Sequence, residues 1–231
     1  PIHWHNDLEI NLIREGEAVF QVYQKSYRVR TGEGFLLNRN VPHSCSSPGN
    51  EHVRYSTILV RPDFLYGDFG SDVERKCFQP FLQNSAIPCI HLTGFDENGK
   101  EILWKLNQVE EAFDRKRFCY ELKIKGLLCE AFAMILYGHR QELTKFVPAN
   151  LQELERLEKM LNYLNMHFTE VISLQDLADQ VHLSREVCCR LFKKMTGKTI
   201  TGYLEEYRVN KSFSLVQSGQ YSMTQITEMV G

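Results

Sequence analysis

The chain has 231 residues, 43% hydrophobic and 24% charged, with a net charge of −2 at pH 7. Those values suit one or two folded domains and exclude both a strongly basic coat for nucleic acid and an acidic disordered chain. Any surface for a polyanion must therefore be a local patch.

Seven cysteines occur without a CxxC pair, a pattern of reduced thiols in a reducing compartment, not of a disulfide framework. No apolar run approaches the roughly 20 residues that span a bilayer. The first residue is Pro1, with no Met and no signal-peptide pattern, so the expectation is a cytoplasmic fragment trimmed at both ends.

The N-terminal ninety or so residues predict short strands. Leu8–Arg14 alternates in side-chain character, Glu15-Gly16-Glu17 is a turn, and Ala18–Tyr23 is rich in β-formers. Tyr27–Arg30, Phe35–Leu37 and Tyr55–Val60 continue the series between Gly, Pro and Asn turns. Such a run predicts an antiparallel sandwich or barrel.

Helical spacing follows. Ile102, Leu103, Leu106, Val109 and Phe113, then Leu122, Ile124, Leu127, Leu128, Phe132 and Ile135, mark two amphipathic helices broken near Phe118. Residues 143–150, with Pro148, predict a linker. Beyond it the chain predicts only helices. Leu154, Leu157, Leu161, Leu164 and Phe168 share one helix face, and Ser173-Leu174-Gln175-Asp176 has the character of a capping box. Leu174, Leu177, Ala178 and Val181 form a short apolar stripe, and after a turn at His182-Leu183, Ser184 starts a helix with Val187, Cys188, Leu191 and Phe192 inward and Gly197 at its end.

Two short helices joined by a tight turn have the arithmetic of a helix-turn-helix. The segment from Ser173 to Val181 recurs from Ser222 to Val230, with Leu174, Leu177 and Val181 matched by Met223, Ile226 and Val230. The chain thus holds one complete motif, a connecting helix over Thr201–Gln217, and the first helix of a second motif.

Leu177-Ala178, His182-Leu183-Ser184, the Arg190–Lys194 segment, Gly197, Tyr203-Leu204 and Arg208 resemble the DNA-binding domain of AraC/XylS-type regulators, over 151–231. Ser212 departs from the Ala usual there, and the second recognition helix is missing. The resemblance implies homodimerisation through the helical pair, contact with RNA polymerase, and activation more often than repression.

With its inner face assigned, the second helix turns Arg185, Glu186, Cys189, Arg190 and Lys193 outward. Position and resemblance make Glu186, Cys189 and Arg190 the base-contact candidates, with Arg suited to guanine and Glu to the cytosine amino group. Arg185, Lys193, Lys194 and Lys198 are the phosphate candidates. From Ser184 to Lys211 there are seven basic residues against three acidic; the alternative is a solvated face, but the repeat, the caps and the basic helix together favour DNA binding. Arg208 is set apart as a possible structural ion pair.

His3, His5, Glu9 and Gly16 resemble the first motif of the cupin barrel, and Gly34 to His43 its second. In metal-binding cupins these positions, here His3, His5, Glu9 and His43, hold a divalent ion, a donor set that suits zinc, iron, manganese or nickel. In AraC-type sensor domains the same pattern commonly lines a pocket without metal. His3, His5, Glu9, Asn38 and His43 are accordingly the effector-site candidates. Trp4, Arg14, Phe20, Gln21, Tyr23, Phe35 and Tyr55 are either pocket lining or core.

The expected fold is α+β and multidomain: a cupin-like effector-sensing barrel over 1–95, a helical hairpin for dimerisation over 96–142, a linker over 143–150, and an incomplete helix-turn-helix domain over 151–231. The expected function is sequence-specific binding of double-stranded DNA under control of a small-molecule effector, with carbohydrate among the candidates and no cofactor apart from an optional divalent metal. The alternatives are a metal-dependent cupin enzyme with accessory helices, and a DNA-binding module whose barrel only dimerises.

Overall fold

A computed structural model describes residues 2–49, 52–68, 70–145 and 150–231. The chain packs as two compact units, one comprising His3–Phe20 and Ser26–Ala149, the other Asn150–Gly231 with the short N-terminal pieces Pro1–Ile2 and Gln21–Lys25. The residues 146–149 of the expected linker lie outside the described residues. Among those described, no helix is long and apolar enough to cross a membrane, and the seven cysteines are free thiols.

The N-terminal unit is built on two antiparallel sheets. The strands are β1 (Leu8–Glu15), β2 (Glu17–Val22), β3 (Lys25–Arg30), β4 (Gly34–Leu37), β5 (His43–Ser46), β6 (Arg54–Val60) and β7 (Cys89–Leu92). They are ordered β6-β1-β4-β7 in one sheet and β3-β2-β5 in the other. The expected fold class holds, an N-terminal β-domain followed by helices.

β1 explains the architecture. Its alternation of apolar and polar residues would ordinarily mean one wet face, yet Leu8 to Ile13 are all buried. The Leu8, Ile10 and Leu12 face joins Leu36 in a core completed by helices α3 (Glu97–Arg115) and α4 (Tyr120–Gly138), through Leu103, Leu106 and Phe132. The opposite face carries Glu9 and Asn11, which pair in register with Leu37 and Phe35 of β4. Phe35 stacks on Phe20 of β2 at 4.7 Å between ring centroids, so this second face looks into the space between the sheets.

The apolar stripe of α3 is therefore covered by its own sheet. Trp104, Phe113, Phe118, Leu122 and Tyr137 remain exposed on the hairpin. Asp96 caps α3 by accepting from the Gly99 amide. The strand series also extends further than expected, since β5 and β7 belong to it. Pro62–Tyr66 (α1) and Gln79–Leu82 (α2), the latter preceded by a π-helical turn at Glu74–Phe78, add helices that the sequence did not announce.

The C-terminal unit is all helical: α6 (Leu151–Met166), α7 (Leu174–Gln180), α8 (Arg185–Thr196), α9 (Ile200–Ser218) and α10 (Met223–Val230). α5 (Arg140–Leu143) closes the first unit. Ser173, Ser184, Thr199 and Ser222 each cap a helix start with a side-chain oxygen. The complete capping box is at Ser222 with Gln225, the repeat copy, while Ser173 takes the Gln175 amide instead. Ala178 is wholly buried where α7 meets its neighbours. Gly197 ends α8 at φ 74°, the left-handed backbone that glycine adopts at little cost.

At Gly16, φ is +82°, and an added Cβ would lie 2.5 Å from the His52 carbonyl oxygen. At Gly32, φ is +86° with open space. Gly16→Ala should lower stability by about 2–4 kcal/mol and Gly32→Ala by about 1, because only the first adds a clash with backbone to the strained φ. Urea unfolding of the two variants checks this, and equal losses would contradict it.

Candidate functional site

Two constellations emerge, one in each unit, and each is taken from its residues upward.

In the β-unit, β1 carries Glu9 inward, and β5 begins at His43 on the facing sheet. The N-terminal segment is stitched to β5 by a two-way backbone bridge, His3 amide to His43 carbonyl and the reverse, both 3.0 Å. This bridge places the His3 and His43 rings 4.3 Å apart and the His5 and His43 rings 5.4 Å apart. One ligand-type atom from each of His3, His5, Glu9 and His43 lies within 4.8 Å of all the others.

The imidazoles are oriented by the backbone. His5 Nδ1 is 3.0 Å from the Asp7 carbonyl oxygen, and His43 Nδ1 is 2.8 Å from that of Val41. A carbonyl oxygen only accepts, so each Nδ1 carries the hydrogen. Both Nε2 atoms then turn toward Glu9, with Oε2 at 2.7 Å from His5 and 3.3 Å from His43. His43 Nε2 is buried and makes no well-formed hydrogen bond.

Glu9 Oε1 accepts from Asn11 Nδ2 at 2.7 Å, and Asn11 Oδ1 accepts from Thr57 Oγ1 at 2.7 Å. Burial alone would push the Glu9 carboxyl up. The bonds from His43, Asn11 and His5 and the attraction of His43 outweigh it, and the group is lowered to about 2. The carboxylate is thus ionised and faces the Nε2 side of the His5 and His43 rings.

Of the five effector-site candidates, the structure brings together His3, His5, Glu9 and His43. Asn38 does not join them. Its amide is buried and donates to the carbonyls of Phe81 and Ile87 at 2.8 and 3.2 Å, tying the α2 loop to the end of β4. Asn11, missed in the sequence, supports Glu9 instead. The signal was present, since a buried amide two residues along a strand from a buried acid shares its face. Arg14 also points away, to Ser56, Asn107 and Glu110.

In the helical unit, Cys188, Leu191, Phe192 and Met195 form the buried face of α8, the i, i+3, i+4, i+7 spacing of one helical stripe. Val187 is not part of it. It is exposed, about a quarter-turn away from that stripe, and Leu174 at the first turn of α7 is exposed as well. Arg185, Glu186, Arg190 and Lys193 are exposed together, and Cys189 is half-buried beside them. Arg185, Arg190 and the Lys193 ammonium have no ion-pair partner among the described residues. Lys194 is paired with Glu153 of α6 at 2.7 Å, and Lys198 with Glu206 of α9. Arg208 donates to the carbonyls of Phe168 and Glu170 at 2.7 and 2.8 Å, a structural task just past the end of α6, met by carbonyls and not by an acid.

Residues 1–88 match the family model described as the AraC-like ligand binding domain. The chain is 28% identical over 232 residues to the uncharacterized HTH-type transcriptional regulator YdeC of Bacillus subtilis, covering 100% of this chain and 78% of that protein. It is 23% identical over 240 residues to the HTH-type transcriptional activator RhaR of Escherichia coli, covering 99% and 78%. Among solved structures, ToxT from Vibrio cholerae aligns over 99% of this chain and 82% of its own at 16% identity and a TM-score of 0.46.

The Glu9 carboxyl is lowered from 4.5 to about 2, so the folded state binds its proton less readily than the unfolded state does. Its contribution, up to about 3 kcal/mol, is present above pH 4.5 and is lost as pH falls toward 2. In metal-free protein, Glu9→Gln should flatten the acid limb of the stability–pH curve across that window. A variant curve as steep as the wild type would contradict the assignment.

Proposed function

We propose that this chain, a transcription regulator of the AraC type with an AraC-like ligand-binding domain, reads the DNA major groove with α8 and answers to a small-molecule effector received at His3, His5, Glu9 and His43. The observation that carries the reading is the division of α8: one stripe packed into its own helical unit, the other presenting Arg185, Glu186, Arg190 and Lys193 to solvent.

A helix of this kind lies in the major groove with its N-terminal half against base edges. Arg190 offers two parallel donors to guanine O6 and N7, and Glu186 accepts from the cytosine amino group. Cys189, half-buried between them, offers only a short side chain to the groove floor. Arg185 and Lys193 reach phosphates. Lys194 and Lys198 would exchange Glu153 and Glu206 for phosphates, a cheap trade because exposed ion pairs are worth only about 0–1 kcal/mol.

In the β-unit, an effector rich in hydroxyl groups, such as a carbohydrate, would meet an ionised carboxylate and three imidazoles, acceptor and donors in one cluster. Control of DNA binding follows if that ligand prefers one of two arrangements of the chain. The exposed Trp104, Phe118 and Leu122 of the hairpin support a homodimer, and contact with RNA polymerase completes the activator reading.

A second reading rests on the imidazole geometry. With both Nδ1 atoms committed to carbonyls, the Nε2 atoms and the Glu9 carboxylate converge as a ready donor set for a divalent ion, the arrangement in which backbone carbonyls orient metal-ligating histidines. In that reading the ion is the effector or holds it. The enzymatic alternative is disfavoured by relatives that are transcription regulators over the same length.

Arg190→Ala should weaken binding to a selected operator by about 1–3 kcal/mol and relax its sequence preference, whereas Lys193→Ala should reduce the slope of log affinity against log salt by about 0.9. Fluorescence anisotropy across a salt series checks both, and an unchanged operator affinity for the Arg190 variant would sink the groove assignment. His5→Ala should abolish the effector response of a reporter promoter while leaving basal operator affinity intact. Retention of the response would remove His5 from the site, and loss of the response on chelation in the wild type would select the metal reading.

A further inference from the structure

β6 is an edge strand of its sheet, and between it and the α3–α4 hairpin lies a groove of about 690 Å³. Its apolar surface comes from Ile58 and Val60 of β6 and from Val109, Ile124 and Leu128 of the hairpin, with the Phe64 and Phe113 rings beside them. The volume is within the range of roughly 300–1,000 Å³ typical of small-molecule sites.

The charges of the lining are unbalanced. Arg61 is neutralised by Asp63. Glu110 is likewise paired with Arg14, which leaves Asp114 and Glu121 as the acids of the lining with no ion pair among the described residues. Asp114 has no hydrogen bond or ion pair among the described residues, and Glu121 has only the Tyr120 hydroxyl. Glu110 gives one oxygen to Arg14, while its Oε1 is buried without a hydrogen-bond partner. A buried acceptor left without a donor is unfavourable, so a donor at this point is favoured.

The rings show the same preference. Lys116 Nζ lies 5.1 Å from the Phe113 centroid and Lys125 Nζ 5.6 Å from that of Phe64. The chain's own ammonium groups already occupy the ring faces, within the roughly 6 Å at which a cation is attracted to an aromatic face.

We infer that this groove is a second ligand site, separate from the histidine cluster, for a small organic cation: an ammonium or guanidinium on an apolar body. The apolar body covers Ile58, Val109 and Ile124, and the cation meets Glu110 and Asp114 in charge-assisted hydrogen bonds. An anion of the same shape would face the unpaired Asp114 and Glu121 carboxylates. The site also has a route into the sheet. Arg14, which shares Glu110, donates to Ser56 of β6 and Asn107 of α3, so a ligand cation competes with Arg14 for the carboxylate. Arg14 and Glu9 belong to the same strand but face different partners.

Isothermal titration of the full chain with phenethylamine, phenethyl alcohol and phenylacetate tests the inference. The amine should bind saturably, with the alcohol and the carboxylate at least about tenfold weaker. Asp114→Asn should weaken the amine about tenfold, Ile124→Trp should abolish its binding by filling the groove, and His5→Ala should leave it unchanged. Asp114 is exposed, so its variant remains folded even if Glu110→Gln does not. No saturable binding of the amine, equal binding of the three probes, or wild-type amine affinity in both the Asp114 and Ile124 variants would each overturn the proposal.

Discussion

An ionised carboxylate buried between two β-sheets is costly unless it is answered by polar partners, and Glu9, with a side chain only 10% exposed, is faced by Asn11, His5 and His43. Asn11 satisfies one oxygen from the same strand. His5 and His43 face the other, each ring fixed by a backbone carbonyl through Nδ1. The bridge between His3 and His43 exists in the same frame, holding the N-terminal segment against β5. The geometry of the cluster is therefore set by what a buried negative charge requires.

That charge is buried because β1 is covered on both faces. Its Leu8, Ile10 and Leu12 face is packed by the helical hairpin, and its Glu9 and Asn11 face is enclosed by the second sheet. The hairpin thus has a structural task within its own unit, whatever its exposed aromatic residues do between copies. In the helical unit the same economy applies to α8. The stripe of Cys188, Leu191, Phe192 and Met195 fixes the rotation of the helix, and that rotation alone decides that Arg185, Glu186, Arg190 and Lys193 meet solvent.

Much of this was legible in the residues. The helix-turn-helix declared itself through its caps, its small Ala178 and its repeat, because short helices need local signals at their ends. The His-x-His and Glu9 pattern pointed to the cluster by its resemblance to the cupin motif, although only Glu9 lies on a strand. Other features depended on partners far away in sequence. β5 and β7 are only four residues long, too short for a pattern to stand out; pairing with distant strands defines them. Asn38 is chemically indistinguishable from a ligand-binding amide until the carbonyls of Phe81 and Ile87 are seen to claim it. Val187 looked apolar and therefore inward, but the angle set by four better-placed residues left it outside. The unpaired oxygen of Glu110 depends on three elements meeting and has no sequence signature.

The central claim is that His5 and His43 are pinned through Nδ1, so that both Nε2 atoms are directed at the Glu9 carboxylate. Histidine-selective ¹⁵N NMR of metal-free protein at neutral pH reports the protonation of each ring nitrogen directly. The account predicts a proton on Nδ1 of both residues, and a shift of their Nε2 signals alone when a ligand enters the cluster. An unprotonated Nδ1 on either ring would contradict it.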